Sequence, residues 1–241
     1  MSRNKGKRGK SKKRLPKTAV SRRSFLTAAG SGVAATMLLE VSPYVQGRTW
    51  NPALIRPPGS LAEDEFLSKC IRCGECMKVC PTNAIHPTTT EAGLAGLWTP
   101  FLFFAISYCE YNCSLCGQVC PTGAIEELTL EEKKEIHIGT AWVDRNRCLP
   151  WVYDTECIVC EEHCPLPEKA IWFQKVTVTD HEGVEKELQQ PLVDAELCIG
   201  CGICEERCPV NDPAAIRVVS GGETRNSDNQ FLLGTGSGLP Y

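Results

Sequence analysis

The sequence predicts an α+β fold of two small repeated modules behind an N-terminal export signal. Three observations support this prediction. The sixteen cysteines fall into four groups of four, and each group closes with a Cys-Pro pair. A small residue followed by Ile comes shortly after every group, which fits a turn that leads into a strand. The chain opens with a basic stretch followed by an apolar one, the order typical of a targeting signal.

Composition limits the classes of protein to which the chain can belong. A length of 241 residues, with 42% hydrophobic and 23% charged residues, predicts one or two folded domains. Sixteen cysteines are too many for ordinary core packing, which leaves a disulfide scaffold, structural zinc or iron–sulfur clusters. The absence of an apolar run of about 18 residues excludes a multi-span membrane protein. No Cys-x-x-Cys is followed by His, which excludes a c-type cytochrome.

The basic charge of the chain is concentrated at its N-terminus. Residues 1–23 hold eleven of the 26 basic residues, whereas the remainder holds 15 basic and 29 acidic residues. Paired arginines, Arg22 and Arg23, come just before the apolar stretch from Phe25 to Leu39. This order favours a twin-arginine export signal over the nucleic-acid-binding tract that a basic run also suggests. The signal is either removed by a cut after Gly47 or kept as an anchor.

The four cysteine groups share the closing pattern C-x2-C-x3-C-P and differ only in their first interval. The first group is Cys70, Cys73, Cys76 and Cys80; the second is Cys109, Cys113, Cys116 and Cys120; the third is Cys148, Cys157, Cys160 and Cys164; the fourth is Cys198, Cys201, Cys204 and Cys208. The first and fourth groups follow the bacterial run for [4Fe–4S] clusters without deviation. The second and third lengthen the first interval to three and eight residues.

This spacing favours iron–sulfur chemistry over the other two hypotheses. A cubane cluster needs four thiolates, and short loops between the cysteines wrap the cluster. Structural zinc prefers two Cys-x2-Cys pairs set well apart, and cysteines this close cannot easily bridge within a group without strain. We therefore predict four [4Fe–4S] clusters held by all sixteen cysteines. Residues 1–47 form the signal or anchor, 48–64 a linker, 65–220 the four-cluster domain and 221–241 a polar tail.

The groups are expected to combine in pairs into ferredoxin-like dicluster modules, in which the fourth cysteine of each group serves the other cluster. The third and fourth groups follow a Val-Asp lead-in, at Val143-Asp144 and Val193-Asp194, which the first two groups lack. Each of the later groups is therefore predicted to partner one of the earlier groups. The preferred arrangement is nested, with the second group paired to the third and the first to the fourth. Pairing the first with the third and the second with the fourth is the alternative.

The sequence resembles the MauM/NapG-type periplasmic ferredoxins over residues 21–218. The twin-arginine signal, the order of the four groups, the long interval between Cys148 and Cys157 and the stretch from Cys164 to Ile171 carry the resemblance. The second group departs from the family pattern, because its intervals are x3 then x2 where the family has x2 then x4. The loop around the second cluster is therefore expected to differ.

The resemblance implies an exported, periplasmic electron carrier. It would take electrons from a membrane-bound, quinol dehydrogenase-type iron–sulfur protein and pass them to a periplasmic redox acceptor. One alternative is an electron-transfer subunit fixed to a molybdenum reductase or a hydrogenase, and another is a zinc-binding structural module. No nucleotide-binding or nucleophile motif appears, so catalysis by this chain alone is not expected, and no nucleic-acid partner is predicted.

Two further features have open interpretations. The apolar stretch from Leu94 to Ile106 either packs over a cluster or forms a docking patch for a membrane partner. The four histidines, His86, His137, His163 and His181, are expected not to be ligands, since each group already supplies four thiolates.

Overall fold

The structure is a computed structural model that describes residues 31, 51–179, 183, 185–226 and 229. Contacts divide the chain into two units, Met1–Ser42 and Pro43–Tyr241, and the fold described below belongs to the second. The predicted export signal, apart from Ser31, and most of the predicted tail lie outside the described residues, as does His181. Among the residues described, no helix is both long and apolar enough to cross a membrane.

Short helices and short strands alternate along the described chain, as the α+β prediction requires. The helices are α1 (Glu63–Lys69), α2 (Glu75–Val79), α3 (Leu115–Gln118), α4 (Leu130–Glu135), α5 (Leu149–Val152), α6 (Val159–Glu162) and α7 (Ile203–Glu206). The strands are β1 (Ile85–Pro87), β2 (Pro100–Leu102), β3 (Thr140–Val143), β4 (Ile171–Thr179), β5 (Glu185–Val193) and β6 (Ile216–Val219). Helices α2, α3, α6 and α7 stay short because the proline that closes each cysteine group cannot continue a helix.

Local sequence explains where the longer helices begin. Helix α1 has three acidic residues in its first turn and Lys69 in its last, which matches the helix dipole. Helix α4 begins at a capping box, in which Thr129 accepts a hydrogen bond from the N–H of Glu132 and the Glu132 carboxylate accepts one from the N–H of Thr129. Gly74 and Gly202 precede α2 and α7 in the left-handed conformation that glycine adopts without strain.

Three antiparallel strand pairs organise the described chain into two modules of the same topology. In the second module, the hairpin β4–β5 lies between the third and fourth cysteine groups, and β3 pairs with β6 around both groups. In the first module, β1–β2 lies between the first and second groups, and a single bridge between Ser60 and Ile125 replaces the outer strand pair. The modules therefore follow one another along the chain.

This arrangement corrects the nested prediction. The first group shares a module with the second and the third with the fourth, so neither of the two pairings derived from the Val-Asp lead-in is right. The residue after the lead-in strand donates its N–H to an alanine carbonyl in all four half-modules. Asp144 and Asp194 donate to Ala215 and Ala170 at 2.7 Å, whereas Phe103 and Leu61 donate to Ala84 and Ala124 at 2.9 and 3.2 Å. Because this hydrogen bond is made by the main chain, any residue except proline can donate it. An aspartate at this position therefore does not indicate which cysteine groups share a module.

The alanine–isoleucine pairs after each cysteine group form the centre of the core. Ala84, Ala124, Ala170 and Ala215 are all at most 2% exposed, and the isoleucines that follow them are at most 4% exposed. Three of these isoleucines open strands β1, β4 and β6, and Ile125 makes the bridge to Ser60. The prediction that a small residue and Ile lead into a strand is therefore confirmed.

The apolar stretch from Leu94 to Ile106 divides between core and surface. Phe101, Leu102 and Phe104 are buried, whereas the side chains of Trp98 and Ile106 are more than half exposed. The loop before β2 is held to the first cysteine group because the guanidinium of Arg72 donates hydrogen bonds to the carbonyls of Ala95 and Leu97. The buried residues therefore fit the interpretation as core packing, whereas the exposed residues fit the interpretation as a docking patch.

Candidate metal centres

The sixteen cysteines line four cavities of similar size. We number the cavities after the group that supplies three of the four thiols. Cavity 1 is lined by Cys70, Cys73, Cys76 and Cys120; cavity 2 by Cys80, Cys109, Cys113 and Cys116; cavity 3 by Cys148, Cys157, Cys160 and Cys208; cavity 4 by Cys164, Cys198, Cys201 and Cys204. The structure thus brings all sixteen predicted site residues into sets of four.

The fourth cysteine of each group crosses to the other cavity of its own module. Cys80 and Cys120 exchange between cavities 1 and 2, and Cys164 and Cys208 exchange between cavities 3 and 4. Exchange of this cysteine was predicted, but between groups two and three and between groups one and four. The outer segments of each module pair antiparallel. This pairing places the end of each cysteine group beside the other group of the same module, so the exchange takes place within a module.

Backbone N–H groups point at cysteine sulfurs in these sites. The N–H groups of Ala84, Ile125 and Ala141 donate to the Sγ atoms of Cys80, Cys120 and Cys198 at 3.3 to 3.4 Å. Burial acts to raise the pKa of Cys120, but hydrogen bonds from Ile125, Thr122 and Ala124 outweigh it and hold the pKa below its usual value. Donors of this kind stabilise a thiolate, which is the form that binds iron.

Burial disfavours the ionised form of several other thiols. Burial, with the charge of neighbouring thiolates, raises the pKa to about 11 for Cys109 and to about 12 for a larger set. That set is Cys76, Cys116, Cys148, Cys160 and Cys201. A positive metal centre is what makes thiolates stable in such a site.

Apart from Arg72 and Thr122 in cavity 1 and Thr82 and Glu110 in cavity 2, the cavity walls are apolar. The alanine–isoleucine pairs described above contribute to all four or lie beside them, and each Cys-Pro proline lines the cavity that its cysteine enters. Among the described residues, no three His, Cys, Asp or Glu side chains converge on the position of a single metal ion. Four thiols spread around an apolar cavity, with N–H donors to sulfur, fit a polynuclear iron–sulfur cluster.

The described histidines do not line these four cavities. The ring Nδ1 of His163 lies 3.0 Å from the carbonyl oxygen of Val159, on the helix that precedes Cys164. The Nε2 of His86 lies 3.0 Å from the carbonyl oxygen of Asn83. His137 instead borders a separate polar cavity between residues 56–60 and 223–225.

Two lysines that the sequence did not single out hold the loops of the second and third cysteine groups. Lys133 is 3% exposed, and its Nζ donates to the carbonyls of Glu110 and Tyr111 at 2.9 and 3.0 Å, inside the lengthened interval of the second group. Lys169 donates to the carbonyls of Glu161 and Cys164 at 3.1 and 2.7 Å. The capping box at Thr129 was the sequence signal that could have revealed Lys133, since it predicts a helix that contains this lysine shortly after the second group.

Interactions between their cysteines connect the cavities in the order 1, 2, 4, 3. Burial is the main cause that raises the pKa of Cys116 in cavity 2, and the negative charge of Cys76 in cavity 1 adds to it. In the same way Cys160 in cavity 3 acts on the pKa of Cys204 in cavity 4. Cavities 2 and 4 meet where the N–H of Cys109 donates to the carbonyl of Cys201 at 2.8 Å. Cavities 1 and 3 are therefore the two ends of the series.

Comparison with known proteins agrees with the chemistry of these sites. The family described as "4Fe-4S binding domain" matches residues 66–86 and 191–212, around the two regularly spaced groups. The "LPXTG cell wall anchor motif" matches residues 9–39, which overlap the predicted export signal and, except for Ser31, lie outside the described chain. No solved structure matches the chain.

Several curated relatives cover most of the chain. The methylamine utilization ferredoxin-type protein MauM of Methylorubrum extorquens is 34% identical over 86% of this chain and 94% of its own length. The ferredoxin-type protein NapG of Haemophilus influenzae is 31% identical over 87% of this chain and 76% of its own. NapG of Escherichia coli is 33% identical over 66% of this chain and 68% of its own. The chain therefore belongs to the MauM/NapG family of ferredoxin-type iron–sulfur electron-transfer proteins.

Proposed function

We propose that the chain holds four [4Fe–4S] clusters, one in each cavity, and passes single electrons along the series 1, 2, 4, 3. All sixteen cysteines are ligands. The observation that carries the proposal is the set of four cavities, each lined by four cysteines. When bound, a cluster of this type accepts and releases one electron at a potential set by its surroundings.

The chain's own residues set those surroundings. The mainly apolar walls limit the access of water to the clusters, which strengthens the effect of each nearby charge or dipole. The N–H donors at Cys80, Cys120 and Cys198 stabilise negative charge on sulfur. Lys133 places a buried positive charge beside cavity 2, which favours the more negative, reduced cluster there.

We infer further that the protein works outside the cytoplasm, after export by the twin-arginine route. The paired arginines before the apolar stretch support this, because that route carries folded proteins and lets clusters be inserted before export. The donor is a membrane-bound, quinol dehydrogenase-type iron–sulfur protein, and the acceptor is a periplasmic redox protein. Exposed apolar side chains next to cavity 1, namely Ile71 and Trp98, suit contact with such a partner.

A reductive titration tests the proposal. Purified anaerobic protein is titrated with measured aliquots of dithionite while EPR spectra are recorded. We expect uptake of about four electrons per chain, one for each cluster, and spin coupling between neighbouring reduced clusters. Uptake of about two electrons would contradict the cluster count, and a protein that takes up none would contradict electron transfer altogether.

A further inference from the structure

A hydrogen bond between two ligand cysteines joins the two modules. The N–H of Cys109, whose thiol lines cavity 2, donates to the carbonyl of Cys201, whose thiol lines cavity 4, at 2.8 Å. A continuous path of covalent bonds and one hydrogen bond therefore connects a sulfur of the first module to a sulfur of the second. Within each module the cavities are connected differently, through the exchanged fourth cysteines.

Packing of Phe104 against Gly202 holds this junction closed. Phe104 follows the last strand of the first module and is 3% exposed. Gly202, next to Cys201, has φ +80°, and a Cβ built on it would lie 2.3 Å from Cδ1 and Cγ of the Phe104 ring. Real Cβ atoms do not approach that closely, so only glycine at position 202 lets the ring lie against the loop of the fourth group.

Gly74 shows that packing, and not backbone conformation alone, distinguishes Gly202. Gly74 occupies the same place in the first group, after Cys73 and before a short helix, with φ +77°. A Cβ on Gly74 would meet no atom within 4 Å. Substitution by alanine would strain the backbone in the same way at both glycines. Only at Gly202 would the added methyl group also collide with another side chain.

We propose that the Cys109–Cys201 hydrogen bond is the route by which electrons cross between the modules, with Phe104 and Gly202 as positioning residues. The inference rests on the proposed function. In the step, one electron leaves the cluster of one module, which is oxidised, and reaches the cluster of the other, which is reduced. No covalent bond is made or broken, and the electron is supplied and removed by one-electron redox proteins.

The test compares Gly202→Ala with Gly74→Ala in the full, cluster-loaded chain. After flash reduction with a one-electron photoreductant, redistribution of electrons between the modules is followed by time-resolved absorbance. We expect redistribution to slow severalfold in Gly202→Ala, because the displaced ring opens the junction, and to slow much less in Gly74→Ala, which strains the backbone at cavity 1 but leaves the junction closed. Hydrogen exchange of the segment around Cys109 gives a second readout that does not depend on electron transfer. It should become faster only in Gly202→Ala.

Equal redistribution rates in the two variants would overturn the inference, as would faster hydrogen exchange at Cys109 without slower electron transfer. If Gly202→Ala does not load its clusters, Phe104→Leu replaces it, since that change loosens the contact without adding backbone strain. A wild-type rate in Phe104→Leu, together with faster exchange at Cys109, would then overturn the inference. Failure of the proposed function itself is recognised separately, by a wild-type protein that does not contain about 16 iron atoms.

Discussion

The thiol of Cys80 lines the same cavity as Cys109, and the N–H of Ala84 donates to its sulfur at 3.3 Å. The fourth cysteine of the first group therefore belongs to the site of the second group. Cys120 makes the reciprocal crossing into cavity 1. Each module is thereby tied together at both of its sites, which explains why two short runs of sequence with little regular structure hold a common core.

The exchange of Cys80 and Cys120 can be checked by substitution. Cys80→Ser should alter the EPR signal and potential of the cluster that Cys113→Ser also alters, and should leave the one altered by Cys73→Ser unchanged. The physical reason is that each cluster's spectrum depends on its own four ligands. EPR-monitored redox titrations of Cys80→Ser, Cys113→Ser, Cys73→Ser and Cys201→Ser make the comparison. A Cys80→Ser protein that resembles Cys201→Ser instead would restore the nested arrangement.

The buried pair of Arg56 and Glu63 should contribute strongly to stability. The Arg56 side chain is fully buried, and its guanidinium also donates to Thr99 Oγ1 and the carbonyl of Pro100. Removing the partner charge with Glu63→Gln leaves that cation uncompensated, which is expected to cost about 3 kcal/mol in the free energy of unfolding. Anaerobic urea unfolding followed by cluster absorbance measures this cost.

An exposed ion pair provides the control for that measurement. Glu75 pairs with Lys78, and both side chains are largely exposed. Glu75→Gln should change the unfolding free energy by less than about 0.5 kcal/mol, because exposed pairs contribute little. Equal losses of unfolding free energy in Glu63→Gln and Glu75→Gln would show that the burial of Arg56 does not determine how much its ion pair stabilises the fold.

The same pair predicts a pH dependence. Burial acts to raise the pKa of Glu63, but the hydrogen bonds and charges of Arg56 and Arg225 outweigh it and hold the pKa below its ordinary value of 4.5. A depressed carboxyl pKa contributes stability above the unfolded-state pKa, and that contribution is lost as pH falls through the folded-state pKa. The stability difference between wild type and Glu63→Gln should therefore be constant near neutral pH and shrink below about pH 4.5. A difference that grows on acidification would contradict the assignment.

Lys133 should set the potential of the cluster in cavity 2. Lys133→Met keeps an unbranched side chain, one atom shorter, but removes a buried positive charge beside Glu110 and Tyr111. We expect the potential of that cluster to fall by an amount on the order of 59 mV, a tenfold change for one electron. Lys134→Met is the control for a less buried charge, since the Nζ of Lys134 also lies over the Tyr111 ring, 5.0 Å from its centroid. Because solvent screens that charge more, its removal should shift the potential less than Lys133→Met does. An unchanged or raised potential in Lys133→Met would contradict the role assigned to this charge.

The sequence was sufficient for the local features and insufficient for the pairing. Cysteine spacing identified the sixteen residues that line the cavities, and the pattern of a small residue before Ile marked the starts of β1, β4 and β6. The Val-Asp lead-in misdirected the pairing, because the bond made by Asp144 and Asp194 comes from the main chain and is made equally by Phe103 and Leu61. The contact of Phe104 with Gly202 joins distant segments and has no local signal, and the same is true of the order of the cavities.

The most direct test of the account is the iron and acid-labile sulfide content of the full chain, purified under anaerobic conditions. Four cysteine-lined cavities, each holding a [4Fe–4S] cluster, predict about 16 iron atoms and about 16 sulfides per chain. About four zinc ions and little iron would contradict the account and leave a structural module. About eight iron atoms would mean that only two of the four cavities hold clusters, and the continuous path through both modules would be lost.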